Sequence, residues 1–225
     1  MTTALQGLAN VAYAREDVTT ARILYEECLA LQRKLDHAPG VAQCLNTLGQ
    51  MAHGAGDDTR ASVWLREAEQ TYRRLGDAHG LAKTLGNQGD ALRAAGCDAE
   101  AATVYQESLG IYHRIGERLS YLEALLEIAS VHPHHTLAAQ LLGATQALCE
   151  AQGVPLSDEE RTACQRRERM ALGALREREY ARQIEAGQRL TLEDTLVLAL
   201  QSSPHPAHYA IMASDPRDYG SQRIH

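Results

Sequence analysis

Nine residues with recognition chemistry stand at near-forty spacing in the first hundred positions. Gln6, Asn46 and Asn87 mark one level, Asn10, Gln50 and Asp90 the next, and Tyr13, His53 and Arg93 a third. Amides, an imidazole, a phenol and a guanidinium can hydrogen-bond an extended peptide or offer donors to a carboxylate. Metal chemistry has one candidate, the cluster His132, His134 and His135, with His205 and His208 further on. Zinc needs three or four ligands in a tetrahedral frame, yet Pro133 splays His132 from the other two and no cysteine or carboxylate lies within three residues. The cluster reads as solvated turn histidines, and neither metal nor cofactor is expected.

Nucleophilic and phosphate chemistry have less support. Cys28, Cys44, Cys97, Cys149 and Cys164 are separated by 16, 53, 52 and 15 residues, which suits neither a disulfide framework nor paired zinc thiolates. A reducing, cytoplasmic setting suits them. No Gly-x-Ser-x-Gly elbow occurs. A phosphate-binding loop needs Gly-Lys followed by Ser or Thr, and the only lysines, Lys34 and Lys83, follow Arg33 and Ala82. We therefore expect no enzyme.

The elements that would carry the nine residues are helices. Ala and Leu supply 66 of 225 residues, phenylalanine is absent, and no proline falls between Pro39 and Pro133. The net charge of -7 shows no basic patch for nucleic acid, no apolar run is long enough to span a membrane, and the N-terminus has no export signal.

The arrangement of the helices follows from a repeat of 40 residues that runs without a gap from Ala4 to Glu123 into an altered fourth copy. Leu5, Leu45, Leu85 and Leu125 share one column; Ala21, Ala61 and Ala101 a second; Tyr25, Leu65 and Tyr105 a third; Leu35, Leu75 and Ile115 a fourth. In each copy apolar residues recur every three or four positions in two runs, so each copy is a pair of amphipathic helices. Glu16-Asp17, Gly56-Asp57-Asp58 and Gly96-Cys97-Asp98 turn the chain within a pair, and 36–40, 76–80 and 116–120 separate the pairs. So short a pair cannot bury its apolar stripe alone, so neighbouring pairs must stack. The alanine column suits helices in near contact. Cys28, in line with Ala68 and Ser108, reads as a small packing residue, and Tyr105 and Tyr112 as packing aromatics.

Leu45, Leu48-Gly49, Ala61 and Leu65, with Leu5, Leu8-Ala9, Ala21 and Tyr25, resemble the tetratricopeptide repeat. The third copy departs in placing Gln88 before Gly89, and no copy has the usual Trp at its first position or a closing Pro. The repeat length, with Leu75-Gly76-Asp77 and Ile115-Gly116-Glu117 at the pair ends, is similar to the repeats in the C-terminal arms of bacterial MalT-like and LuxR-like signalling ATPases. The second half extends the likeness. A fourth pair shortened at Val131–Thr136 leads into Leu141-Leu142-Gly143-Ala144; a capping box at Ser157 and Glu160 starts another helix; then come Tyr180, Ile184 in place of the usual Trp, Gly187, and a last helix introduced by Leu190-Thr191-Leu192-Glu193. Between them, 157–185 interleaves seven acids and seven arginines and reads as a solvated helix with weak pairs.

The expected organisation is thus all-α, a tetratricopeptide-like α-solenoid over 1–153 (pairs 4–43, 44–83, 84–123 and a divergent 124–153), a C-terminal helical module over 154–201, and a loosely ordered tail over 202–225 in which Tyr209 to Met212 form a short apolar strip. With neither a phosphate loop nor room after Leu200 for a DNA-binding domain, the chain reads as a detached or truncated arm. The resemblance implies a cytoplasmic, non-catalytic interaction scaffold, binding a protein or peptide on its inner face. That partner could be an ATPase domain or another regulator subunit, with small-molecule inducer sensing as the alternative.

Overall fold

The computed structural model describes residues 2–153 and 158–201, and among them every regular element is a helix. The helices are α1 (Thr2–Ala14), α2 (Val18–Lys34), α3 (Ala38–Gly54), α4 (Asp58–Leu75), α5 (Ala78–Ala94), α6 (Asp98–Ile115), α7 (Arg118–Val131), α8 (His135–Gln152), α9 (Asp158–Ala174), α10 (Glu177–Gln188) and α11 (Leu192–Leu200). The fold is all-α, of the tetratricopeptide-like solenoid class. Two compact units divide in the turn of the third copy, Met1–Cys97 and Asp98–His225. The capping box at Ser157 and the tail 202–225 fall outside the described residues.

In the first unit each helix packs on the next, α1 on α2 through α4 on α5. Leu45, Leu48, Leu65 and Leu85 are buried, together with Ala21 and Ala61, and Leu5 packs on the same core. The alanine column marks close approach: a Cβ on Gly49 would fall 2.5 Å from Leu65 Cγ, with the Ala61 carbonyl oxygen at 3.5 Å. The fourth column differs from the other three, because Leu35, Leu75 and Ile115 are 66%, 41% and 40% exposed at the ends of their helices.

The segments that separate the pairs are shorter than the sequence suggested. Gly40 and Gly80 belong to the first turns of α3 and α5, whose N-caps are His37 and Asp77 accepting from the Gly40 and Gly80 amides. A Cβ at Gly40 would meet the Gln32 amide, and one at Gly80 the Tyr72 ring, at 2.3 Å each, so these glycines let a side chain of the preceding helix lie against the backbone. Asp17 and Asp57 cap α2 and α4, and hydrogen bonds from the Thr20 side chain and amide hold the Asp17 carboxyl below its usual range.

In the second unit α6, α7 and α8 continue the helical pairs, and Tyr105, Leu109, Leu125, Ile128 and Leu141 form its core. The charged stretch forms two helices, not one, broken between Ala174 and Glu177; its described pair Arg182–Glu179, like Arg189–Glu185 at its end, is long, at 3.7 Å, and exposed. The break frees α10 to cross α8 at backbone contact. A Cβ on Gly187 would lie 2.0 Å from the Gln140 carbonyl oxygen, and one on Gly143 2.2 Å from that of Ile184. Gln140 Nε2 donates to Gln183 Oε1 beside the crossing, at 2.7 Å. The last helix starts in a capping box between Thr191 and Asp194. It is fastened by Gln106 Nε2 donating to the Ala199 carbonyl (2.8 Å) and Tyr121 OH to that of Leu192 (3.2 Å).

Gly187→Ala should lower stability by at least about 1–3 kcal/mol, because the obstacle is backbone and cannot rotate away. Gly86→Ala, in an α5 site with nothing within 4 Å of the added carbon, should gain up to about 1 kcal/mol in thermal or urea unfolding. The turns offer a second comparison. Glu16 (φ 62°) and Asp36 (φ 50°) adopt the left-handed conformation that Gly56, Gly96, Gly76 and Gly116 adopt at the matching positions. Glu16→Gly and Asp36→Gly should each raise stability by about 0.5–1 kcal/mol, read from the unfolding midpoint.

Candidate functional site

The nine recognition residues all lie in the first unit, on α1, α3 and α5, the first helices of their pairs. Their side chains divide into those that bridge helices and those that face outward. Asn87 Nδ2 donates to Asn46 Oδ1 at 2.9 Å, joining α5 to α3, and Asn46 is only 6% exposed. Gln6 Nε2 donates to Gln43 Oε1 at 3.3 Å, with Cys44 Sγ at 3.9 Å, joining α1 to α3. One level of the set is therefore a set of polar bridges between successive first helices. Asn46 is a structural member of that level rather than an open contact.

The other two levels are less joined. Asn10 accepts a short hydrogen bond from the Tyr25 hydroxyl, which turns it toward α2. His53 Nδ1 lies 2.7 Å from Asp58 Oδ1 across the turn between α3 and α4. Arg93 donates to Asp90 at 3.4 Å within α5. Tyr13, 46% exposed, and Gln50 face outward. The polar surface left by these internal partners is Tyr13, Gln50, the half-buried His53 and Asn87, and the Asp90–Arg93 pair.

Residues outside the nine complete the picture. Gln43, which bonds Gln6, and Asp58, which bonds His53, add to these contacts; Gln43 stands in a column that is polar in every copy, with Thr3, Lys83 and Glu123, so the repeat carries a signal for it, whereas Asp58 recurs only as Asp98. Burial pushes the Cys44 thiol up to about 12 and leaves it protonated, as befits a packing residue beside Cys28. Tyr72 and Tyr112 are likewise raised to about 12 by burial. Among the described residues no three His, Cys, Asp or Glu side chains converge on a metal position. His132 is not a solvated turn residue: it is 4% exposed and its Nδ1 accepts from the His134 amide at 3.0 Å, closing the shortened turn. No helix among the described residues is long and apolar enough to cross a membrane.

Comparison with known proteins places the first unit's pairs. Residues 1–74 match the tetratricopeptide repeat family. The matched span holds α1 to α3, all of α4 but its last residue, and two of the three residues of each level above. Among solved structures, the TPR-like repeats of a kinesin light chain-type protein of Podosopora anserina align over 83% of this chain and 94% of theirs, at a TM-score of 0.60 and 21% identity. That likeness concerns the fold. No curated protein matches the chain.

The Asn46–Asn87 bridge can be measured directly. Asn46→Ala should cost about 1 kcal/mol, because it leaves the half-buried Asn87 amide without its acceptor. Adding Asn87→Ala should cost less than the two single changes summed, with a coupling of about 0.5 kcal/mol or more in a double-mutant cycle of unfolding free energies.

Proposed function

We propose that this chain acts, as tetratricopeptide repeats in general do, as a scaffold for protein–protein interaction, without catalysis, and that it takes a protein or peptide partner along the face carried by α1, α3 and α5. The observation that carries this reading is the separation of duties among the nine residues. The Gln6 and Asn46–Asn87 level bridges the helices, while Tyr13, Gln50 and Arg93 present a phenol, an amide and a guanidinium toward the same flank. Aromatic and arginine side chains on a preorganised helical face are the groups that dominate interface energetics. Mixed donors and acceptors suit the backbone of an extended segment.

The finer reading is a sensor arm of a bacterial signalling ATPase, its partner an ATPase domain or another regulator subunit. It is supported by the succession Leu141-Leu142-Gly143, Gly187 and Leu190-Thr191-Leu192-Glu193, in which the two glycines have a shared purpose at the crossing of α8 and α10. Such an arm would work by holding or releasing its partner through stacked helices, with no covalent step.

A photo-crosslinking side chain placed at Gln50 should capture a defined partner, and one placed at exposed Gln70 on α4 should not. Tyr13→Ala with Arg93→Ala should weaken that capture about tenfold or more while far-ultraviolet circular dichroism stays unchanged. Equal capture from Gln70, or capture indifferent to the two substitutions, would remove the face from consideration.

A further inference from the structure

Because the copies align without gaps, each side chain at one pair-to-pair junction has a counterpart forty residues on, and the junctions act as controls for each other. At the junction of α2 and α3 the large residues Tyr25 and Met51 are 5% and 3% exposed and fill the space between the helices. At the junction of α4 and α5 their counterparts are Leu65 and Ala91, and a cleft of about 340 Å3 opens between those helices. Leu92, in place of Ala52, restores only part of the lost volume and lines the cleft floor. The size falls within the range of sites for small molecules, which characteristically join an apolar floor to a few placed polar groups.

The charge at the rim has been rearranged at the same positions. In the first copy Arg22 and Glu26 form an ion pair at 3.0 Å. In the second copy the counterparts are Ser62 and Arg66, both lining the cleft, so the acid has become a base and its partner position has become a small hydroxyl. Arg66 is exposed and has no hydrogen bond or ion pair with any described residue. The acidic group of the rim, Asp58, is held by His53 at 2.7 Å, and Gln88 reaches across from α5 with its amide donating to Glu69 at 2.7 Å. A second cleft, about 270 Å3 between α4 and the turn from α2 to α3, has its guanidinium groups engaged: Arg33 is paired with Glu67 at 2.7 Å and Arg74 donates to Thr71 Oγ1 at 3.4 Å. An open apolar floor beside an unpaired guanidinium calls for a ligand with an apolar body and one negative end.

We propose that the cleft between α4 and α5 is a binding site for a small apolar carboxylate, its body against Ala91, Leu92 and Ala95, over the buried Leu65, and its carboxylate on Arg66. The site uses the stripe of α5 defined by Gln88, Ala91 and Leu92, not the stripe of Asn87, Asp90 and Arg93, so it stands independently of the protein-binding face.

Octanoate and its neutral counterpart octanol, titrated separately into the full chain, test the site through the methyl NMR signals of Leu65 and Leu92. Octanoate should shift both signals saturably. Arg66→Gln should weaken octanoate about tenfold and leave octanol unchanged. Ala91→Met and Leu65→Tyr each restore the residue that the chain itself places at the filled junction. They should abolish the response to both probes while keeping full helicity. The proposal fails if octanoate produces no saturable shift, if either filled variant binds like the wild type, or if Arg66→Gln binds octanoate unchanged. Arg66 is an exposed side chain, so this last variant decides the matter whether or not the filled variants keep their helicity.

Discussion

Helices in this protein approach until a single methyl group would be too much. Gly49 against Leu65 and Ala61 sets that distance in the first unit, and Gly143 and Gly187, each facing a carbonyl of the opposing helix, set it in the second. Close approach of this kind gives dispersion contacts along the full length of both helices and fixes their register, because ridges can settle only into the grooves that small residues leave. Everything functional is referred to that register. The polar bridges between first helices form because those helices are held at a fixed spacing, and the cleft between α4 and α5 exists because the spacing is not relaxed when smaller side chains occupy the junction.

Variation between copies is therefore where the chemistry lies. Where successive copies agree, as at Leu45 and Leu85 or at Ala21 and Ala61, the residues are buried and serve packing. Where they differ, the fixed frame converts the change into a local property. Leu48 becomes Gln88 and gains a hydrogen bond to Glu69 across the junction. The pair Arg22–Glu26 becomes Ser62 and Arg66 and leaves a guanidinium facing solvent. A stack of identical pairs would be more uniform and would offer less to recognise.

The periodicity made most of the frame legible: the helical pairs, three of the four columns as core, and the small-residue contact all follow from spacing and side-chain size. The fourth column misled because Leu35, Leu75 and Ile115 keep an apolar period at helix ends, where the neighbouring chain has already turned away. Gly40 and Gly80 look like breaks in the sequence because glycine usually punctuates, whereas here it makes room for Gln32 and Tyr72 inside a continuing first turn. The recognition residues were legible by type and level but not by occupancy. Nothing in the sequence indicates that Asn46 is bonded to Asn87 while Gln50, one turn on, is left outward, because that depends on which rotamer points across the gap to the next helix. The burial of His132 is hidden from the sequence for the same reason: a shortened turn folds its ring inward to receive an amide proton.

The gap-free alignment of the turns carries an implication for how such a chain changes over generations. Each connection between helices in the first unit recurs forty residues away, to within one residue in length, and its caps, Asp17 with Asp57 and His37 with Asp77, do the same work. Unequal crossover between two such stretches of the gene would splice one helix cleanly onto another, adding or removing a whole layer without creating a malformed junction. Stacks of this design can lengthen or shorten by complete units while every surviving seam stays intact.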